Sequence, residues 1–320
     1  MTLSKDCIHC KRCTKNCSFL KKYNMDLSDF EKRPDLAYNC FMCGNCKIVC
    51  PKDIDGREIC LNHRKSEVEA NNNKISQSGY SALILEKKNY LFKNYKNSYG
   101  KKSCLFTGCN FLSYTPKTAE KLFSICREND IGIIFDCCGK PIYDLGLEKD
   151  ANSILDRISD NLKKHGVDEL ITACPNCYHY FKGKLDVRIV DVYTKFSEMN
   201  LLNKISGEYD VFRSCSDRES NEILSVILKY NPNLKVRYMN EQCCGAGGCG
   251  CVKEPVLAEN MREEAIKKSN NILAFCSTCV GFIQKDNGNI QHFLSKMLGV
   301  EEDFKSNSLL NRMRFKFYKK

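Results

Sequence analysis

The sequence lacks several features that would assign it to a common class of protein. It has no uninterrupted run of ~18 apolar residues, so no segment is long enough to cross a membrane as a helix. Its first residues, MTLSKDCIHCKRC, contain no apolar signal region, which argues against secretion and predicts a cytoplasmic protein. It also has no Ser-His-Asp set or Walker loop. We therefore expect no nucleotide or flavin bound by the chain itself, and two-electron donors would have to act through a partner.

Cysteine is the residue that the chain has in excess. Twenty-three of its 320 residues are cysteine, while 42% are apolar, which is ordinary for a protein with a core. Disulfide-dense secreted scaffolds are usually much shorter, and intracellular proteins keep their thiols reduced. The cysteines are therefore predicted to bind metal, most simply as iron–sulfur clusters. The formal net charge of +11 counts every thiol as neutral. Deprotonated cluster ligands would offset part of it, so we expect no nucleic-acid partner.

Two cysteine runs near the N-terminus have the spacing of a bacterial ferredoxin. In such runs three cysteines hold one 4Fe–4S cubane and the fourth reaches the other cluster. We therefore assign one cubane to Cys7, Cys10, Cys13 and Cys50, and the other to Cys40, Cys43, Cys46 and Cys17. Zinc is the alternative for Cys-x2-Cys pairs, but zinc sites do not use four cysteines in this 2-2-3 spacing. Cys60 is left over and is predicted to be a buried thiol.

A second cysteine pattern occurs twice in the rest of the chain. Each copy has one cysteine, 27 intervening residues, an adjacent Cys-Cys pair followed by glycine, and finally a Cys-x2-Cys pair. The first set is Cys109, Cys137, Cys138, Cys174 and Cys177; the second set is Cys215, Cys243, Cys244, Cys276 and Cys279. Adjacent cysteines rarely bridge each other, so two sets of five thiolates again predict metal sites.

Short apolar strands alternate with amphipathic helices around these cysteines. We predict strands at Cys104–Thr107, Ile131–Phe135 and Glu169–Ala173, and the same order again at Tyr209–Phe212, Leu234–Met239 and Asn271–Phe275. Such alternation predicts right-handed βαβ units with parallel sheets. Every cysteine motif then follows the carboxyl end of a strand, where open α/β sheets place their ligand sites.

The expected fold is a multi-domain α+β/α chain, in which a mainly helical ferredoxin-type domain precedes two duplicated α/β repeats. We predict a double-cluster domain at 1–68, a linker at 69–103 that contains a helix over 81–96, a first repeat at 104–205, a second at 206–300 and a basic C-terminal tail at 301–320. The tail mixes basic and apolar residues, which leaves contact with an anionic membrane or a partner open. A solvated, frayed end is the ordinary expectation for such a segment.

The paired Cys-Cys-Gly motifs resemble those of a known protein family. They read FDCCGKP with ITACPNC, and EQCCGAGGC with AFCSTC. Behind ferredoxin-type runs, this arrangement resembles the iron–sulfur subunits of the heterodisulfide reductase superfamily. It is similar to the D-type polypeptide of that enzyme, or to the C-type polypeptide fused ahead of the B-type one, and the resemblance covers roughly residues 1–300. Related iron–sulfur subunits serve flavin-dependent glycolate, lactate and glycerol-3-phosphate dehydrogenases.

The resemblance implies that each five-cysteine set holds a noncubane 4Fe–4S cluster, and that a disulfide is cleaved between the two clusters. It makes Cys138 and Cys244 the candidate catalytic residues within these sites. The 27-residue gap is slightly shorter than in the heterodisulfide enzymes, and the chain is shorter than the D-type polypeptide. The coenzyme disulfide of methanogens is therefore in doubt as the substrate.

Several other interpretations apply to parts of the repeated motif. Cys174-Pro-Asn-Cys177 also has the form of a thioredoxin-like redox pair, and zinc could occupy four thiolates, although a tetrahedral site has no use for a fifth. The Gly245–Gly248 loop could cradle a phosphate. We favour glycines that let the backbone approach a cluster and donate N–H···S bonds, at Gly139, Gly245, Gly247 and Gly248.

The favoured function is an anaerobic oxidoreductase with two cubane and two noncubane clusters. Single electrons from a flavoprotein or a ferredoxin would pass through the cubanes to the noncubane pair, where a disulfide is reduced. One alternative is an electron-transfer component of a flavin-dependent 2-hydroxyacid or glycerol-3-phosphate dehydrogenase. Another is a non-catalytic iron–sulfur scaffold or sensor.

Overall fold

The N-terminal segment consists of short helices connected by turns. The computed structural model describes residues 3–239, 243–267, 269, 271–284, 289–302 and 307–319. Asp26 caps one helix in a capping box with Asp29, because each carboxylate accepts the other residue's backbone N–H. Apolar side chains such as Phe19 and Phe30 pack between the helices with buried cysteines. The helices are α1 (Arg12–Asn16), α2 (Ser18–Lys22), α3 (Leu27–Glu31), a 3₁₀ helix (Pro34–Asn39), α4 (Asn45–Ile48) and α5 (Gly56–Ala70).

The segment that follows corrects the predicted helix over 81–96. The helix α6 spans only Ser81–Lys88, and Asn94–Asn97 form the strand β1. Between them, Tyr90 and Phe92 are buried while Leu91 is exposed. This alternation has the period of a strand and cannot lie on one face of a helix. The chain therefore leaves the helix early and adds β1 to the edge of a sheet.

A five-stranded sheet carries the first set of repeated cysteines. Its order is β1-β3-β2-β4-β5, and all neighbours are parallel except β1, which is antiparallel to β3. Strands β3 and β4 are buried on both faces, which explains why they appear in the sequence as continuous apolar runs. The elements are β2 (Ser103–Phe106), α7 (Cys109–Tyr114), α8 (Pro116–Glu128), β3 (Gly132–Phe135), α9 (Lys140–Asp144), α10 (Glu148–His165), β4 (Glu169–Thr172), α11 (Pro175–Phe181), β5 (Arg188–Asp191) and α12 (Val192–Glu198).

A four-stranded parallel sheet carries the second set. Its order, β7-β6-β8-β9, repeats that of β3-β2-β4-β5 in the first sheet, with no counterpart of β1 among the described residues. The predicted βαβ duplication is thus present as two sets of four parallel strands in the same order. The elements are β6 (Gly207–Val211), α13 (Glu222–Tyr230), β7 (Leu234–Tyr238), a 3₁₀ segment (Gly247–Val252), α14 (Pro255–Lys267), β8 (Ile272–Ala274), α15 (Ser277–Gln284), β9 (Ile290–His292), α16 (Phe293–Met297) and α17 (Ser308–Lys316).

The two sheets share one hydrophobic core. Phe111 and Phe135 of the first repeat and Phe275 and Phe293 of the second belong to the same buried cluster. The C-terminal helix α17 adds Phe315, which is 1% exposed, so this segment is not the solvated tail that its composition suggested. Among the described residues, no helix combines the length and apolar character needed to cross a membrane.

Candidate metal centres

Two groups of four cysteines line separate cavities in the N-terminal segment. The first cavity is lined by Cys7, Cys10, Cys13 and Cys50, and the second by Cys17, Cys40, Cys43 and Cys46. These are the two groups expected from the ferredoxin spacing, with the fourth cysteine of each run placed in the other run's group. Cys10 of the first group is exposed at the surface, whereas no cysteine of the second group is, so the first group lies nearer to solvent.

The first repeated set brings all five of its cysteines together. The thiol of Cys137 lies beside those of Cys109 and Cys138, and the thiol of Cys177 lies beside those of Cys138 and Cys174. The contacts with Cys137 and Cys177 lower the pKa of Cys138 to about 6, although burial acts in the opposite direction. One thiol of the set is therefore readily ionised, as a metal ligand must be.

The second repeated set brings four of its five cysteines together. The thiol of Cys279 lies beside those of Cys244 and Cys276, and Cys215 lies near Cys276 and Cys244. The contact with Cys279 lowers the pKa of Cys276 to about 7. The fifth cysteine, Cys243, is turned away from this group and towards the N-terminal segment.

Cys243 lies in the cavity of the second ferredoxin-type group. It lines this cavity with Cys17, Cys40, Cys43 and Cys46. Its thiol lies beside that of Cys43, and this contact is the main reason why the pKa of Cys43 falls to about 6. The backbone N–H of Gly245 also donates to the Cys243 sulfur, at 3.4 Å.

A cavity of about 130 Å³ lies between the two repeated sets. Both candidate catalytic residues, Cys138 and Cys244, line it, and so do six other motif cysteines: Cys109, Cys174, Cys177, Cys215, Cys276 and Cys279. Polar contacts join the two repeats at its wall, since Asn110 donates to the Thr278 hydroxyl at 2.8 Å and Asn176 to the Cys276 sulfur at 3.8 Å. Thiols of both repeats thus line the same cavity.

The four candidate glycines occupy two kinds of position. Gly139 and Gly245 follow the Cys-Cys pairs with φ of +90° and +81°, a backbone conformation that favours glycine. Gly247 and Gly248 line the cavity between the sets. They also lie against the N-terminal segment, because a Cβ on Gly247 would collide with the carbonyl oxygen of Phe41. The absence of a side chain at Gly247 and Gly248 therefore lets the backbone of the N-terminal segment pack closely against this loop.

A buried lysine lies beside the thiols of the first repeated set, and the sequence patterns did not identify it. Lys87, which is 6% exposed, faces Cys109 and Cys137, and its ammonium also contacts Glu86 at 2.8 Å. Burial lowers the pKa of Lys87, but the two thiols outweigh this effect and raise it above its ordinary value. Positive charge at such positions suits a site that holds anionic thiolates.

Unpartnered hydroxyl groups lie beside the first repeated set. The hydroxyls of Tyr90 and Tyr180 are buried and have no hydrogen-bond partner among the described residues. Tyr90 faces Cys109 and Cys137, and Tyr180 faces Cys138. Because buried donors normally have a partner, these hydroxyls fit a bound group with sulfur acceptors, such as an iron–sulfur cluster. An all-cysteine donor set fits the same group, and all these thiols are free.

Other cysteines and a histidine take structural positions. Cys60, Cys104 and Cys126 are completely buried, as expected for core thiols, and Cys60 donates to the Ala37 carbonyl at 3.1 Å. Cys249 lines the cavity between the sets, although it is extra to the repeated pattern. His179 contacts the buried carboxylate of Asp217 at 3.0 Å, which ties α11 to the loop after Cys215.

Comparisons with known families match three segments, which together make up more than half of the chain. A cysteine-rich domain, CCG, matches residues 104–182 and 209–284, and a 4Fe-4S dicluster domain matches residues 6–55. These segments contain all 18 cysteines assigned above to clusters.

The curated relatives are distant and longer. An uncharacterised iron–sulfur protein of Methanocaldococcus jannaschii is 24% identical, with 76% of this chain and 59% of the relative covered. One of the subunits of the fumarate reductase (CoM/CoB) of Methanothermobacter marburgensis is also 24% identical, with coverage of 86% and 66%. This chain thus spans between about half and two thirds of the length of the relatives it matches.

A solved structure of glutamate racemase RacE1 from Bacillus anthracis aligns with a TM-score of 0.36 at 12% identity, over 62% of this chain and 80% of that one, which is too low to support any inference. The family matches, the iron–sulfur relatives and the convergent thiols agree with one another. The chain is an iron–sulfur protein in which a 4Fe-4S dicluster domain precedes two cysteine-rich CCG domains, and it is similar to heterodisulfide reductase-like proteins.

Proposed function

We propose that this chain is the iron–sulfur subunit of an oxidoreductase that reduces a disulfide between its two CCG domains. The observation that carries the proposal is the cavity lined by thiols of both repeats, including Cys138 and Cys244. A substrate held there would be adjacent to both cysteine sets at once. If the two cysteine sets faced solvent at separate sites, one substrate could not lie next to both.

The ligand sets follow from the thiols that converge. The ferredoxin-type groups would hold two cubanes. The noncubane clusters would be held by the five cysteines of the first set and by the four of the second set that converge, Cys215, Cys244, Cys276 and Cys279. When bound, such clusters supply one-electron transfer. Reduction of a disulfide to two thiols needs two electrons and two protons, so one electron from each side of the cavity would satisfy the stoichiometry.

Polar groups at the cavity wall would position the substrate. Lys140 and Asp144 both line the cavity, and the ammonium contacts the two carboxylate oxygens at 2.7 and 2.6 Å. Asn110, Asn176 and Thr278 add hydrogen-bonding groups. A disulfide with polar substituents suits this lining better than a purely apolar one.

The first test is the metal content of anaerobically purified protein. Four 4Fe–4S clusters require about sixteen iron atoms per chain, and two require about eight. A value near eight would leave only the ferredoxin-type clusters and would contradict the noncubane assignment. Replacing Cys138 or Cys244 by serine should remove one unusual cluster signal and leave the cubane signals intact. Cys126→Ala, in a core position outside all four groups, is the matched control.

The second test separates reduction of a disulfide from simple relay of electrons. Candidate disulfides added to the reduced protein should oxidise its clusters, with two electrons consumed per disulfide. The protein would instead be a relay if no disulfide reacts while a flavin-dependent dehydrogenase reduces it. The relay remains the second candidate, because one relative is named as a subunit of a fumarate reductase and therefore works beside another polypeptide.

A further inference from the structure

The second CCG repeat contacts the dicluster domain through one of its own motif cysteines. Cys243 lies beside Cys43 in the cavity lined by the second ferredoxin-type group, while the next residue, Cys244, lines the cavity between the repeats. Two adjacent residues therefore place one thiol in the cavity of the dicluster domain and the next in the cavity between the repeats.

Close backbone packing holds this contact in place. Gly248 and Gly250 each approach the Cys40 carbonyl so closely that an added Cβ would lie 3.1 and 3.0 Å from its oxygen. Arg218, which is 3% exposed and follows Cys215, donates to the Cys43 carbonyl at 2.9 Å. The segment after Cys215 and the loop after the Cys243-Cys244 pair thus both reach the same ferredoxin-type group.

The equivalent cysteine of the first repeat has different surroundings. Cys137 is completely buried in a cluster with Cys109, Tyr90 and Phe92, and Lys87 faces it. Tyr90 and Phe92 belong to the segment between α6 and β1, and the described neighbours of Cys137 include no ferredoxin-type cysteine. The duplication is therefore asymmetric at this position.

We propose that Cys243 is a positioning residue of the junction between the dicluster domain and the second CCG repeat, so that electrons reach the second repeat before the first. This inference rests on the proposed function only in requiring that the second set holds a cluster. Clusters held at the second ferredoxin-type group and at the second set would exchange one electron, which the first would lose and the second would gain, with no bond broken and no proton moved. The first repeat is then the far end of the path.

Matched cysteine variants of the two repeats provide the test. Cys243→Ser should change the electron paramagnetic resonance signal of the reduced ferredoxin-type clusters, and it should slow their oxidation by the rest of the protein by about tenfold or more. Cys137→Ser should leave that signal and that rate unchanged. An unaltered ferredoxin-type signal in Cys243→Ser, or equal changes in both variants, would overturn the proposal.

A second pair of variants leaves Cys243 in place. A paramagnetic cluster at the second set would speed the spin relaxation of the nearby ferredoxin-type cluster. Cys276→Ser should perturb the second set and should therefore remove this fast relaxation. Cys174→Ser, the equivalent change in the first repeat, should retain it. The reverse result would make the first repeat the neighbour and would refute the proposed order.

The two proposals fail in different ways. An iron content of about sixteen, with no response to disulfides, would remove disulfide reduction, while the Cys243 and Cys276 variants would still test the order of electron transfer. An iron content of about eight would overturn both proposals, because the order of transfer requires a cluster at the second set.

Discussion

At the scale of single residues, the unusual feature is a positive charge enclosed next to thiols. Lys87 lies beside Cys109 and Cys137 with only 6% of its surface exposed, and its ammonium lies 5.3 Å from the centre of the Tyr90 ring. A cation at this position favours the more negative, reduced state of any cluster bound there. Lys87 should therefore raise the reduction potential of the first repeat.

Replacing this residue provides a direct measurement. We expect Lys87→Met to lower the reduction potential of the first noncubane site, by an amount equivalent to about 1–3 kcal/mol, because the reduced state loses a nearby cation. Lys88→Met is the control, since Lys88 is half exposed and paired with Asp150 at 2.9 Å. Potentiometric titration followed by electron paramagnetic resonance would show the difference. Equal potentials in both variants would mean that Lys87 has only a packing role.

Sequence spacing predicts which cysteines could converge, but it cannot predict which neighbours surround them. The grouping of Cys17 and Cys50 with the opposite runs was predictable, because ferredoxin spacing implies that exchange. The orientation of Cys243 was not, because it depends on packing between the Gly247 loop and Phe41, which are distant in the chain. The position of Lys87 could not be predicted either, because it lies in a segment that contains no motif.

At the scale of secondary-structure elements, α17 closes one side of the first repeat. Its Phe315 ring packs edge-on against Phe123, with centroids 5.5 Å apart, and lies 6.0 Å from the Phe135 ring. Arg312 on the same helix contacts Glu86 at 3.4 Å. The helix was not predicted, because its buried face has few apolar residues and becomes stable only by docking.

Two phenylalanines at the end of this helix allow a paired experiment. We expect Phe315→Ala to destabilise the protein by about 3–5 kcal/mol, because it removes a buried aromatic ring from the shared core. Phe317→Ala should change stability by less than about 0.5 kcal/mol, since Phe317 is 72% exposed. Urea denaturation followed by circular dichroism would measure both. Similar losses in the two variants would show that α17 does not dock as described.

The loop after Cys244 gives a second prediction at this scale. Gly247→Ala should push the loop away from Phe41, at a cost of about 1–3 kcal/mol, because the new methyl group collides with a backbone oxygen. The expected result is a changed ferredoxin-type resonance signal. Gly183→Ala is the control: its Cβ would meet open space, although φ of +72° adds some backbone strain. The resonance signal of this variant should be unchanged.

At the scale of the whole molecule, Arg64 connects all three family segments. Its completely buried guanidinium donates to the carbonyls of Ala37 and Cys40 at 2.9 and 3.0 Å, to Asp144 at 2.6 Å and to Gly248 at 2.7 Å. These four acceptors belong to the dicluster domain and to both CCG repeats. The duplicated alternation of strands and helices with parallel pairing was predictable from apolar periodicity, but this connection joins positions that no local pattern relates.

Removing this guanidinium should loosen the whole assembly. We expect Arg64→Met to destabilise the protein by about 3–5 kcal/mol, because four buried carbonyls lose their donor. Arg64→Lys keeps the charge but cannot make all these bonds, so its loss should be smaller. The unfolding midpoint and the iron retained after gel filtration would rank the two variants. Wild-type stability in Arg64→Met would show that other contacts hold the domains together.

The strand order of the two sheets has a consequence for behaviour at high concentration. In the first sheet, β1 covers the outer side of β3, whereas in the second sheet no described strand covers the outer side of β7. An uncovered strand can recruit strands from other molecules and start aggregation. Here β7 carries Lys235 and Arg237, paired with Glu208 and Asp210 on the neighbouring strand. These charges disfavour pairing of β7 with a strand of another molecule. High salt or neutralising substitutions at this edge should therefore promote self-association of the chain.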